Sequence, residues 1–204
     1  VEDYLGQAMA FDWGDLADNN TPGSYPTNAN DGGEGVGASH KILNGLKMGA
    51  SVDFEGDGQP NAGATGDGAD EDGIASFPQF SGGQVAPIIV TVMNMSGQAA
   101  ILYGFFDWNK DGDFDDANEQ SSVAVPNNTN GNVQVNANVP NDVVLNMPLG
   151  VRFRLSTDIA AAASPEGEAP DGEVEDYLIE VIAIDFGDLP DANTANSYPT
   201  DDTN

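Results

Sequence analysis

The chain has 204 residues, with 34 Asp and Glu against five Lys and Arg, for a formal net charge of −29. That field repels nucleic acid and anionic membrane surfaces, so neither is expected as a partner, and no stretch approaches the roughly 18 apolar residues of a membrane-spanning helix. With no cysteine and a single histidine, His40, disulfides, thiolate catalysis and Cys-ligated zinc are excluded, and any triad or His-based metal site must use that one residue. Charge of this density points toward disorder, yet 39% of residues are hydrophobic and nine Phe, five Tyr and two Trp supply a core. The sequence opens at Val1 without a signal peptide, as expected of a processed protein or a window within a longer one.

Residues 1–27 and 174–200 align without a gap at an offset of 173, with 17 of 27 positions identical. A period of 173 residues is too long for a common solenoid unit and is the size of a domain. The expected organisation is therefore a tandem array. Residues 1–11 correspond to the closing strand of a preceding unit, 12–73 form an acidic Gly/Asp-rich calcium-loop segment, 74–184 form a β-sandwich, and 185–204 begin the next unit.

Period-2 patterning and the turn residues between runs predict strands at 74–80, 84–95, 99–107, 119–125, 131–139, 149–156 and 174–184. In 131–139, Val133, Val135, Ala137 and Val139 share a face opposite Gln134, Asn136 and Asn138. In 149–156, Val151, Phe153 and Leu155 point one way and Arg152 and Arg154 the other. Residues 88–92 and 101–106 are apolar on both faces and read as central strands. A short helical turn is expected at 159–163, capped by Ser156 or Asp158. The fold class expected is all-β, an antiparallel sandwich of about seven strands with a long calcium-loop segment.

The sharpest motif runs Asp107-Trp-Asn109-Lys-Asp111-Gly112-Asp113-Phe-Asp115 and on to Glu119. Acids at alternate positions of a tight loop converge on one point, which suits the six to eight oxygens of a calcium ion, and Gly112 permits the turn. The acidic residue expected at the twelfth position falls at the thirteenth, and a strand leads into the loop, so this is a calcium loop in a β context. Asp53, Glu55 and Asp57, followed by Asp67, Asp70 and Asp72, form a second candidate set. A third lies where units meet: Asp12 and Asp15, echoed as Asp185 and Asp188, each preceded by a Glu-Asp-Tyr such as Glu175-Asp176-Tyr177. These residues suit either an ion that stiffens the seam or turn caps.

The segment Gly172-Glu173-Val174-Glu175-Asp176-Tyr177, together with DFGDLPDA at 185–192, ASVDFEGDGQPNA at 50–62, FDWNKDGDFDD at 106–116 and RFRLSTD at 152–158, resembles the GEVED domains of large bacterial secreted and surface proteins. Where such sequences often read Ala-Arg-His, this chain reads Ala38-Ser39-His40. The resemblance implies a β-rich extracellular module within long multidomain chains. The expectation is a calcium-stabilised structural repeat of an extracellular bacterial fibre, adhesin or surface polymer. Several Ca2+ ions would bind per repeat, and neighbouring copies would be joined head to tail, more readily by the covalent chain than by strand exchange. The alternative is a calcium-dependent carbohydrate-binding module using Trp13, Trp108 and Tyr103 for glycans. Nothing points to an enzyme: no nucleophile motif surrounds any serine, and His40 is expected beside a loop carbonyl or carboxylate. Asn19, Asn94 and Asn127 each head an N-glycosylation sequon.

Overall fold

A computed structural model describes residues 9–18, 24–30, 36–66, 68 and 72–183. The described chain is nearly all β, in the order β1 (Phe11–Trp13), β2 (Ser39–Lys41), β3 (Leu46–Met48), β4 (Val85–Asn94), β5 (Ala100–Phe106), β6 (Gln120–Val125), β7 (Thr129–Asn138), β8 (Pro148–Ser156), α1 (Ile159–Ala162), β9 (Glu168–Ala169) and β10 (Glu173–Glu180). Three sheets result: β10-β8-β5-β6, β3-β4-β7, and a small β1-β2-β9. All pairings are antiparallel except β2 with β9.

Alternation decides which face each strand buries. On β4, Ala86, Ile88, Val90 and Val92 are buried while Ile89 and Thr91 face outward. Val135 and Ala137 on β7 line the same side. These meet Leu102, Phe106, Leu149, Val151, Phe153 and Leu155 of the four-stranded sheet in one hydrophobic cluster. Residues 88–92 are thus buried on one face only, and Ile89 is 45% exposed. The segment is central in strand order, but a run apolar on both sides does not by itself supply a second covering layer. β5 does have cover on both faces.

That second cover comes from the segment before residue 67. Leu16 and Ala64 pack with Phe105 and Phe114, joined by Tyr25, Tyr103 and Leu178, into a smaller cluster on the far side of the four-stranded sheet. One strand expectation is corrected. Residues 74–80 form no strand, and their Ile74 and Phe80 are buried as loop residues. The three-residue strands β1, β2 and β3 and the two-residue β9 are too short to show a period. The helical turn forms where expected, and Asp158 is its cap: Oδ1 accepts from the amides of Ala160 (3.0 Å) and Ala161 (3.1 Å). Asp158→Ala is expected to cost about 1 kcal/mol, read as a small fall in thermal midpoint. Of the sequons, Asn94 is buried and donates to the carbonyls of Gln98 and Val125, Asn127 lies at a turn, and Asn19 lies outside the described residues.

Candidate cation site and buried charge cluster

Asp107 leaves β5 at the base of the 107–119 loop and is fully buried. Its Oδ1 accepts from the Asp111 amide (3.1 Å), and its Oδ2 accepts from the Gly112 amide (3.1 Å) and the Tyr25 hydroxyl (2.5 Å). Lys110 (φ 60°) and Gly112 (φ 93°) take left-handed conformations that wrap the backbone around that carboxylate. Asn109, Asp111 and Asp113 each accept from the amide two residues on, at 3.1, 3.3 and 2.9 Å. The side chains of Asn109, Asp111, Asp113 and Asp115 stand on the solvent side. Glu119 folds back beneath them, 1% exposed, and accepts from the amides of Trp108 (3.0 Å) and Asp116 (3.1 Å).

Neither carboxylate at the base meets a cationic side chain among the described residues. Burial pushes Glu119 up to about 7, against the backbone amides that hold it down. Burial raises Asp107 as well, although the Tyr25 hydroxyl and loop amides oppose it. Tyr25 is itself raised by burial and by Asp107. Ionising the pair therefore costs free energy that a nearby cation would offset. The donors are all oxygens, which fits a hard cation such as calcium. Among the described residues, however, no group of three or more His, Cys, Asp or Glu side chains is gathered so as to hold a metal ion. Asp107, Asn109 and Asp111 share one turn, while Asp113 and Asp115 run on along the surface.

The second set is spread apart. Asp53 is exposed, Glu55 turns inward to accept from the Trp13 amide (3.2 Å), and Asp57 accepts from the amides of Ala29 (2.7 Å) and Gly58 (2.9 Å). Asp72 accepts from the Ala50 amide (2.7 Å). Asp67, Asp70, Asp185 and Asp188 lie outside the described residues.

The third set does come together, and it is a tie within one unit. Asp176 is fully buried. Its carboxylate accepts from the amides of Asp15 (2.7 Å) and Leu16 (2.9 Å) and pairs with Arg152 through Nε (2.7 Å) and Nη2 (2.8 Å). Gly14 leaves the space this needs, since a Cβ there would lie 2.4 Å from the Asp176 carboxylate. Asp12 accepts from the Val174 amide (2.6 Å), and Asp15 from the Gly66 amide. Glu175 accepts from the amides of Gly73 (2.8 Å) and Asp72 (3.2 Å) and from the Tyr177 hydroxyl (2.8 Å); burial still raises it to about 7. The first strand of the unit is thereby fastened to its last.

Arg152 and Arg154, on the face of β8 that alternation sets opposite the main core, are fully buried. Arg152 also donates to the carbonyls of Pro26 and Pro165. Burial works against its charge, but Asp176 outweighs that and holds its pKa above the ordinary value. Arg154 donates to the carbonyls of Ser39, Ser164, Glu166 and Gly167, and its Nε to His40 Nε2 (2.9 Å). Burial, then the charge of Arg152, lower Arg154 to about 9. Since Nε2 of His40 accepts, its Nδ1 carries the proton and donates to the Asp171 carbonyl (2.8 Å), the first of the two kinds of partner, loop carbonyl or carboxylate, expected from the sequence. Nothing in the local sequence marks these two arginines as buried. The one signal was that they are the only arginines in a chain of −29. Trp13 and Trp108 are buried, and Tyr103 is half-buried and stacked on Phe105, so no broad ring face is offered at these positions.

No curated protein matches this chain, and no solved structure does. A family model does match over the stretch from β5 through the Arg152–Asp176 pair to the end of β10: residues 101–180 match the GEVED domain.

Proposed function

We propose that this chain is a calcium-stabilised structural repeat of an extracellular bacterial fibre, adhesin or surface polymer, its unit a β-sandwich backed by a loop layer. The observation that carries the reading is the 107–119 loop: two buried carboxylates, Asp107 and Glu119, without a cationic partner among the described residues, beneath the exposed oxygens of Asn109 and Asp111. A divalent ion there would relieve the cost of ionising the buried pair and lower the net charge. The gap-free repeat at an offset of 173 supports an array. Covalent succession of units is favoured over strand exchange, because β10 of this chain already pairs with its own β8 over eight residues.

Thermal unfolding in millimolar calcium and in EGTA tests the reading. With calcium at about 100 times its dissociation constant, stabilisation is about 2.7 kcal/mol, or roughly 5–10 °C for a domain of this size. Asp107→Asn and Asp111→Asn should each abolish most of that shift. Coincident curves for the unaltered chain would rule the calcium out.

A further inference from the structure

The two ends of the unit lie at opposite poles. β1 runs alongside the start of β10, as the contacts of Asp12 with Val174 and of Asp176 with Asp15 show. Met9 and Ala10 therefore project beyond the beginning of β10, while the chain leaves at its far end, about 23 Å away along eight strand residues. At the leading pole the Ile42 amide donates to the Ala10 carbonyl, and the Phe11–Lys41 register, continued, sets Met9 across from Leu43. Met95 joins them, its amide donating to the Gly45 carbonyl. At the trailing pole the Asn146 amide donates to the Val181 carbonyl (2.8 Å), which places Leu145 and Met147 around Ile182.

All six of these side chains are 37–63% exposed, and they make up six of the eleven exposed large hydrophobics among the described residues. Apolar surface so concentrated at two poles marks contact surfaces. The period identifies the occupant. Ile182 stands one period after Met9, and Ile184 one period after Phe11, the first residue of β1. Only residues 181–183 separate the end of β10 from the position one period after the first residue of β1. Ile182 is thus at once the trailing residue of one unit and the leading residue of the next, with no spare chain to hold the poles apart.

We infer that consecutive copies of this unit stack pole to pole, burying Leu145, Met147 and Ile182 of one against the Leu43 and Met95 positions of the next. The inference rests on the tandem-array reading but not on calcium. It makes the array a stiff rod whose joints are apolar contacts.

The test is a two-copy chain, residues 1–183 followed by residues 11–204, which keeps the period. The sequence has no cysteine, so Met147→Cys in the first copy and Leu43→Cys in the second form a clean reporting pair. Mild oxidation should link this pair at least tenfold faster than a control pair of Met147→Cys with Ile89→Cys on the outer face of β4. Equal rates would overturn the stacking. Small-angle scattering of the cysteine-free two-copy chain is the independent readout. It should give the length of two units end to end, and Leu145→Asp with Met147→Asp should convert it to a hinged distribution. A hinged distribution in the unaltered chain would also overturn it. Thermal midpoints in calcium and EGTA, taken on the same samples, separate a failure of stacking from a failure of calcium binding.

Discussion

Asp176→Ala is expected to destabilise the domain by about 3–5 kcal/mol, a fall of roughly 6–20 °C in thermal midpoint. The substitution takes from the fully buried Arg152 guanidinium the carboxylate that accepts from its Nε and Nη2, while the carbonyls of Pro26 and Pro165 receive Nη1. It also strips the amides of Asp15 and Leu16 of their acceptor. Both losses act in the same place, where a buried charge and buried donors cannot turn to water. The contrasting variant is Glu168→Ala, which removes the exposed Lys41–Glu168 pair, whose side chains are 34% and 51% exposed. That pair is worth at most about 1 kcal/mol because solvent screens it. If the two variants lost equal stability, Asp176 would not be the tie between the first and last strands.

Acid is expected to weaken the fold through His40. Burial, then the charge of Arg154, hold its pKa well below the ordinary 6.5, while the Asp171 carbonyl opposes them and Arg152 adds to the lowering. The unfolded chain therefore takes up a proton near pH 6.5 that the folded chain refuses. The contribution is full above pH 6.5 and is lost as the pH falls, by up to about 1.4 kcal/mol per pH unit. Protonated Nε2 would also point its new N–H at Arg154 Nε, its present donor. Glu119 and Glu175 act in the opposite sense. Their folded values, about 7, lie above the ordinary 4.5, so their contribution is full below pH 4.5 and lost as the pH rises through 7. The raw stability curve in EGTA therefore mixes the two trends. Subtracting the curve of His40→Gln, whose amide can accept from Arg154 and donate to Asp171, cancels the glutamates. The difference should shrink steadily from pH 7 to pH 5. A flat difference over that interval would show that His40 does not titrate against folding.

The legible parts of this molecule were those with a period or a dense local signature. Val133, Val135 and Ala137 alternate with Gln134 and Asn136, and their strand followed from that. The spacing of Asp107, Asn109, Asp111 and Gly112 announced a tight acid-lined turn, since the amides it captures lie two to five residues away. The cap at Asp158 was readable for the same reason: its partners are its near neighbours. The strands β1, β2, β3 and β9 were not readable, because two or three residues carry no period and the hydrogen bonds that define them come from distant segments.

By itself the sequence determined the repeat, the acidic loop, the alternating strands and the absence of thiol chemistry, all of which depend on residues close along the chain or identical along it. Only the tertiary structure decided what became of the second face of the four-stranded sheet. Arg152 and Arg154 alternate with apolar residues just as solvent-facing side chains do. What distinguishes them is a layer contributed by residues more than 100 positions earlier, among them His40, Pro26 and Asp15, together with the carbonyls of residues 164–167. That layer turns an exposed charged face into a buried one, and burial is what converts an ordinary Arg–Asp pair into the fastening of the fold.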